Sequence, residues 1–460
     1  MITKQEYTKR RSIFLHKMKN NSVAVLFSGT PIKASADECY PFEVNRNFYY
    51  LTGIQQAESM LVFVKSAGNV NIYLFIEEVD PYRVKWTGKM LSFAEASEIS
   101  GVKDILPTKH FQAKLQLFLD GQRNAYGRIE NIYLDLESGL YIANEKTTKD
   151  YAFELSRKYP GLVCLDAYKM IVEERMIKSS AEIEEIRQSI QVTQLGLEAI
   201  MKKLKPGLYE YQISSLFRYT VANFNHSGLA FPTICAGGEN ATILHYPTPD
   251  GLLKANTLLL LDLGAEKNLY RADISRTYPV SGTFKGREKE IYEMVLHCNK
   301  AVANFVRPGI TLADVHNFSF EFLKSELISR GYISAETIRK EADKEIEARE
   351  LIAPLTEAEK EDIYKGKMHD AVYKYYYHNV THHLGLDTHD ASFRDMKLEP
   401  GMVITDEPGL YFAEYGIGVR IEDDLLVLEN GAEVLSKDII KEIEDIEHFM
   451  QGSKKETKHE

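Results

Sequence analysis

Cysteine is scarce. The 460 residues contain four, Cys39, Cys164, Cys235 and Cys298, far apart and with no Cys-x-x-Cys pair. That argues against a disulfide framework and fits a reducing compartment, so a cytoplasmic location is expected. Basic charge is also short: 56 Lys and Arg stand against 67 Asp and Glu, for a net charge of −11. A nucleic-acid partner would normally demand a basic face, so none is expected. No apolar run approaches the roughly 20 residues of a membrane span, so no membrane partner is expected either. The opening stretch "MITKQEYTKRRSIFLHKMKNNSVAVLFSG" lacks the apolar core of a signal peptide. It reads as a basic amphipathic helix running into a first strand. Familiar catalytic signatures are missing too. HExxH, GxxxxGK[ST] and GxSxG do not occur, and the lone GxG of "GIGVRIED" makes a poor dinucleotide site.

What is present is the balance of a globular protein, 44% hydrophobic and 27% charged. The length exceeds one ordinary core, which predicts two domains. In the first part, "SVAVLFSG", "NFYYLTGI", "SMLVFVKS", "NIYLFIEE" and "NIYLDLES" read as strands between helical stretches. An N-terminal three-layer α/β domain over 1–172 is expected. A long helix then opens at Ser179–Ser180 and stops at Pro206–Gly207. The second domain, 173–450, alternates helices with strands such as "TLLLLDLGAE", "LYRADISRTYPV", "GMVITDEPGLY" and "GVRIEDDLLVL". Residues 327–372 form a charged, helix-prone insert whose charge reads as a solvated face. The tail, 451–460, is expected to be disordered.

Four of the thirteen histidines fall within "HNVTHHLGLDTHD", residues 378–390. Histidine is the commonest metal ligand and acid–base group near neutral pH. Carboxylates also sit where they are costly. Asp262 follows "TLLLL", and a buried carboxylate needs a partner, a hydrogen bond or a metal. A hairpin turning at Lys267–Asn268 would place Asp273 directly opposite it, about 5 Å away. A second hairpin, turning at Glu414–Tyr415, would set Glu407 opposite Glu422. Four inward acids and a histidine make a natural site for two divalent ions sharing one water. An oxygen-rich donor set favours manganese, with zinc or cobalt as substitutes.

Five ordered segments then carry a specific resemblance: "ILHYP" (243–247), "LDLGAE…YRADISRT" (261–277), "HNVTHHLGLDTHD", "DEPGLY" (406–411) and "GVRIED" (418–423). With "VNRNFYYLTGI" and "RVKWTGKM" in the first domain, the chain resembles the metal-dependent pita-bread peptidases. This is the family of aminopeptidase P, prolidase and methionine aminopeptidase, and aminopeptidase P is the nearest match within it. The resemblance implies a pita-bread catalytic domain with a pseudo-two-fold antiparallel sheet. It implies metal ligands Asp262, Asp273, His382, Glu407 and Glu422, with Asp273 and Glu422 bridging both ions. His245 and His389 would be catalytic and touch substrate, His378 would line the proline pocket, and Arg420 would orient substrate and ligands. Glu407 would also shuttle the proton.

The implied activity is that of an Xaa-Pro aminopeptidase. It would remove the first residue from peptides with proline second, through a hydroxide activated by the two ions. Prolidase, which cuts only Xaa-Pro dipeptides, is the alternative, and a non-peptidase relative that has lost its ligands is a third reading. A homo-oligomer, dimer or tetramer, is expected. The first domain would contribute substrate access and oligomer contacts. Trp86, the single tryptophan, is either a core residue or one that reaches a neighbouring subunit. His383 matches no functional position and reads as a packing or surface residue. Tyr411 reads equally as a core residue or as lining the site. Ser275 and Asn47 stand where the family usually has threonine and often an acid.

Overall fold

The computed structural model describes residues 2–456 other than 121–125, 138, 140, 144, 145, 225, 226 and 394. Two compact units emerge, Met1–Arg175 and Met176–Glu460. No helix among the described residues is long and apolar enough to cross a membrane.

In the first unit a six-stranded sheet is built from β1 (Ser22–Phe27), β2 (Met60–Ser66), β3 (Asn69–Ile76), β4 (Asp104–Pro107), β5 (Asn131–Leu134) and β6 (Val163–Asp166). Its order is β6-β5-β1-β2-β3-β4, mixed parallel and antiparallel. Alternation along β2 explains why helices cover both faces. Val62 and Val64 pack with Phe111, Leu115 and Phe118 on one side, while Phe63 meets Phe14 of the helix Lys4–Lys17 on the other. "NFYYLTGI" is not a strand. Its first six residues lie in the helix Arg46–Thr52, which starts where the Asn45 side chain accepts the Phe48 N–H and ends at left-handed Gly53. All seven helical residues are buried, so no polar face betrays the period. Trp86 is 70% exposed on the helix Pro81–Thr87, which overturns its reading as a core residue.

The second unit opens with the helix Ser180–Lys203, held at its start by a reciprocal cap between Ser179 and Glu182. Then β7 (Ile234–Gly237) pairs with β8 (Leu258–Leu263), and β8 with β11 (Ile274–Pro279), all antiparallel. Between β8 and β11 lies the hairpin of β9 (Ala265–Lys267) and β10 (Tyr270–Arg271). Its turn is centred on Asn268–Leu269, both with positive φ (51° and 67°). This shifts the expected register: Asp262 faces Ser275, not Asp273. Asp273 is two positions on, so it keeps the same face as a diagonal neighbour. Gly264 lies opposite, where an added Cβ would stand 1.8 Å from the Ala272 carbonyl oxygen.

The second hairpin is β12 (Val403–Asp406) and β13 (Gly409–Phe412) returning through β14 (Ile417–Arg420) and β15 (Asp423–Val427). Gly409 faces Arg420 and Asp406 faces Asp423, so Glu407 and Glu422 sit opposite across breaks in the ladder. Pro408 has no N–H to give, which accounts for one break. The charged insert is a helical pair, Ala335–Glu350 and Glu357–Tyr373, with mostly solvated faces. The expected disorder of 451–460 is corrected in part. The helix Ile443–Glu456 continues through the start of that stretch, because extending a helix already anchored by Ile446 and Met450 costs little. Residues 457–460 lie outside the described residues.

Candidate metal centre

Four chain segments meet to form the site: the two hairpins, the histidine segment and the stretch 243–247 that carries His245. The two hairpins are tied together where the Glu422 N–H donates to the Ser275 carbonyl (3.0 Å) and Thr277 Oγ1 donates to the Arg420 carbonyl (3.1 Å). The histidine segment then lies against β12. Leu384 N–H donates to Val403 O, Thr405 N–H to His382 O and Glu407 N–H to Val380 O. This edge pairing sets His382 beside Glu407.

The result is one cavity of about 300 Å³. Every residue expected at the site lines it: His245, Asp262, Asp273, His378, His382, His389, Glu407, Arg420 and Glu422. His382 Nε2 lies 3.4 Å from Asp273 and 3.5 Å from Glu407. Its Nδ1 is 3.0 Å from the His383 carbonyl, which fixes the proton there and leaves Nε2 free as a ligand. His382 and His389 stand with ring centres 4.2 Å apart. Arg420 is the hub. It donates from Nη2 to Asp262 (2.7 Å), from Nε to Ser275 Oγ (2.8 Å) and from Nη1 to the Tyr411 hydroxyl (2.9 Å). Ser275 Oγ donates in turn to Glu422 (2.9 Å), so the hydroxyl that stands in for threonine is used.

The carboxylates crowd one another beyond what one arginine offsets. Burial, and then the neighbouring acids, push Asp273 and Glu422 far above the ordinary carboxylate range. Burial raises Glu407 to about 8, although His382 and Arg420 pull it down. These acids ionise together only if cations lie among them. Two further observations fit metal ions. Asp262 Oδ1 is buried without a hydrogen-bond partner among the described residues. Asp273, His382 and Glu422 each offer a ligand atom within 4.8 Å of the others. Oxygen donors with one imidazole suit manganese, zinc or cobalt.

The chain's other candidates fall into place around this cluster. His378 Nδ1 sits 2.9 Å from the Asn379 carbonyl, so its Nε2 accepts from the Tyr411 hydroxyl (2.8 Å). Burial and Arg420 lower its pKa to about 3, so it stays neutral. Tyr411 is therefore a bridge between His378 and Arg420, a role left open by sequence reasoning. The register carried the signal: Tyr411 is diagonal to Arg420 on one face of the β13–β14 hairpin. His383 is a buried residue outside this cavity. Beneath the histidine segment Lys178 pairs with Asp390 at 3.0 Å, both side chains almost fully buried. No local pattern could have revealed a pair so distant in sequence.

Comparison with known proteins agrees with this architecture. The model of "Metallopeptidase family M24" matches residues 184–429, and that of "Aminopeptidase P, N-terminal domain" matches 7–126. The Xaa-Pro aminopeptidase of Escherichia coli (strain K12) is 31% identical over 99% of this chain and 99% of its own. A solved chain from Bacillus anthracis has a TM-score of 0.86 at 36% identity, covering 98% of this chain and 99% of that one. Escherichia coli aminopeptidase P with the inhibitor Pro-Leu has a TM-score of 0.83 at 29% identity, covering 99% of both. The first unit thus has the aminopeptidase P N-terminal fold and the second the pita-bread fold, and the chain belongs to metallopeptidase family M24.

Proposed function

We propose that this chain is an Xaa-Pro aminopeptidase that removes the first residue from peptides with proline second. The observation that carries this reading is the convergence of four carboxylates and the His382 Nε2 in one cavity beside His245, His378 and His389. The relatives that match the full chain are named for this activity. They are not named as prolidases, so the dipeptidase reading has less support. A relative that had lost its ligands would lack this donor set, so the non-peptidase reading also recedes.

Asp262, Asp273, His382, Glu407 and Glu422 would hold two divalent ions, manganese first, with zinc or cobalt as substitutes. When bound, the ions supply Lewis acidity and lower the pKa of water. The chain's own groups do the rest. Glu407, ionised once metal is bound, takes a proton from the attacking water at a carboxylate oxygen and delivers it to the prolyl nitrogen. His245 and His389 face the reacting carbonyl and support the oxyanion as it forms. Neutral His378, held by Tyr411, offers an uncharged wall to the proline ring. Arg420 keeps Asp262, Ser275 and Tyr411 in one geometry. The chain is proposed to act in the cytoplasm as a homo-oligomer, with exposed Trp86 available for a subunit contact.

The test is hydrolysis of an Xaa-Pro dipeptide and an Xaa-Pro-Xaa tripeptide, after chelation and again after adding manganese. Tripeptide cleavage restored by metal is expected. Cleavage of the dipeptide alone would move the assignment to prolidase, and cleavage of neither with any metal would sink both.

A further inference from the structure

A second cavity, of about 480 Å³, shares His245, Asp262, Asp273 and His389 with the first. Beyond that shared wall the two diverge. The first continues to His378 and Arg420. The second continues past Phe231, Ile234, Tyr246 and Pro247, an apolar lining interrupted by Thr233, Arg271 and Thr388. A peptide whose scissile bond lies at the shared residues sends its proline ring one way and the side chain of its first residue the other.

Arg271 is held firmly. Its backbone N–H donates to Gly385 O (3.0 Å), its Nε is ion-paired with its cross-strand partner Glu266 at 3.3 Å but donates no hydrogen bond among the described residues, and its Nη1 donates to Thr388 Oγ1 (3.4 Å). Its Nη2 has no hydrogen-bond partner among the described residues. Glu266 does not line the cavity. Asp262 and Asp273 do, but their charge faces the metal ions of the proposed centre. Glu266 offsets part of the Arg271 charge from behind the wall, so what greets a substrate side chain is the guanidinium's remaining N–H donors. The cavity is roomy, so size selects weakly, whereas a charge in an apolar wall selects strongly.

We propose that this cavity is the subsite for the first residue of the substrate. There Arg271 favours an apolar stem ending in an oxygen acceptor, glutamate or glutamine, and disfavours lysine and arginine. The proposal rests on the Xaa-Pro aminopeptidase reading. A glutamate would lay its methylenes on Phe231 and Pro247 and give its carboxylate to the unpaired Nη2 donors.

The experiment compares kcat/KM for Glu-Pro-Ala, Gln-Pro-Ala, Leu-Pro-Ala and Lys-Pro-Ala, using the full chain loaded with manganese and its variants R271M and R271K. The expected result is a wild-type preference for Glu over Lys of about tenfold or more, the scale of one charge-assisted hydrogen bond. R271M should collapse that ratio to within about twofold, and R271K should restore part of it. A wild type that cuts Lys-Pro-Ala as fast as Glu-Pro-Ala overturns the proposal, even if R271M does not fold. So does R271M with an unchanged ratio. Turnover with a flat ranking defeats the subsite alone, whereas no turnover of any of the four defeats the underlying function as well.

Discussion

Removing the metal should leave a protein that dislikes alkali. Glu407 has an ordinary value near 4.5 and is raised to about 8 in the fold, chiefly by burial. Between those pH values the unfolded chain gives up its proton and the native chain keeps it, so stability falls as pH rises. The contribution is fully present below about pH 4.5 and gone once pH passes about 8. A gap of about 3.5 pH units at about 1.36 kcal/mol each is on the order of 5 kcal/mol. The Glu407 side chain is 19% exposed, and solvent screening makes this an upper bound. Asp273 and Glu422 are displaced in the same direction and add to the slope. The chelated protein should therefore melt about 5 °C lower at pH 8 than at pH 5, and metal should abolish most of the difference. Metal uptake must also expel protons. At pH 7 Glu407 is about nine-tenths protonated, so loading should release on the order of one proton from it, and more from its neighbours. Calorimetric titration in two buffers of different ionisation enthalpy counts those protons. A chelated protein whose melting point is flat or rises from pH 5 to 8, with no proton released on loading, would refute the reasoning.

Other perturbations test single links. Asp273→Asn and Glu422→Gln should each abolish turnover and bound metal while circular dichroism stays native; wild-type turnover from either would rule out the dinuclear scheme. Tyr411→Phe strips Arg420 Nη1 and His378 Nε2 of a partner. A hydrogen bond to a charged group is worth about 1.5–3 kcal/mol, so kcat/KM should fall about 10- to 100-fold. A loss under twofold in steady-state assays would show that the bridge is idle. Gly264→Ala drives a Cβ against the Ala272 carbonyl, backbone on backbone, and should cost about 3 kcal/mol or more in thermal or denaturant unfolding. An alanine variant as stable and active as the wild type would show that the hairpin yields there.

The second hairpin was legible because its acids, its turn and its register agree, and the structure places the turn at Glu414–Tyr415 as the spacing implies. The first was misread by two positions because Leu269 adopts a left-handed conformation that no rule of composition assigns to leucine. The acids still shared a face, since a two-residue slip preserves alternation. The helix Arg46–Thr52 escaped because its buried surface runs all the way round. Tyr411 and the Lys178–Asp390 pair depend on contacts between segments, and such contacts have no local period. The four acids that line the cavity were legible because acids in apolar strands are costly, and a cost repeated at regular spacing is informative, whereas His245, His378, His389 and Arg420 were read only from the family resemblance.

The bond from Ser275 Oγ to Glu422 spans 147 residues of chain. Each hairpin closes locally and quickly, but alone it offers two acids and no imidazole. The pair can meet only by closing that long loop, with the helical insert and histidine stretch inside it, and distant pairings are the slow events of folding. The site is thus expected to be completed late in folding, which metal-uptake kinetics followed during refolding would check. Half-formed chains offer little to trap an ion in a wrong arrangement, and the finished protein is the species that takes up metal. A chain emptied of metal should need no refolding to be refilled.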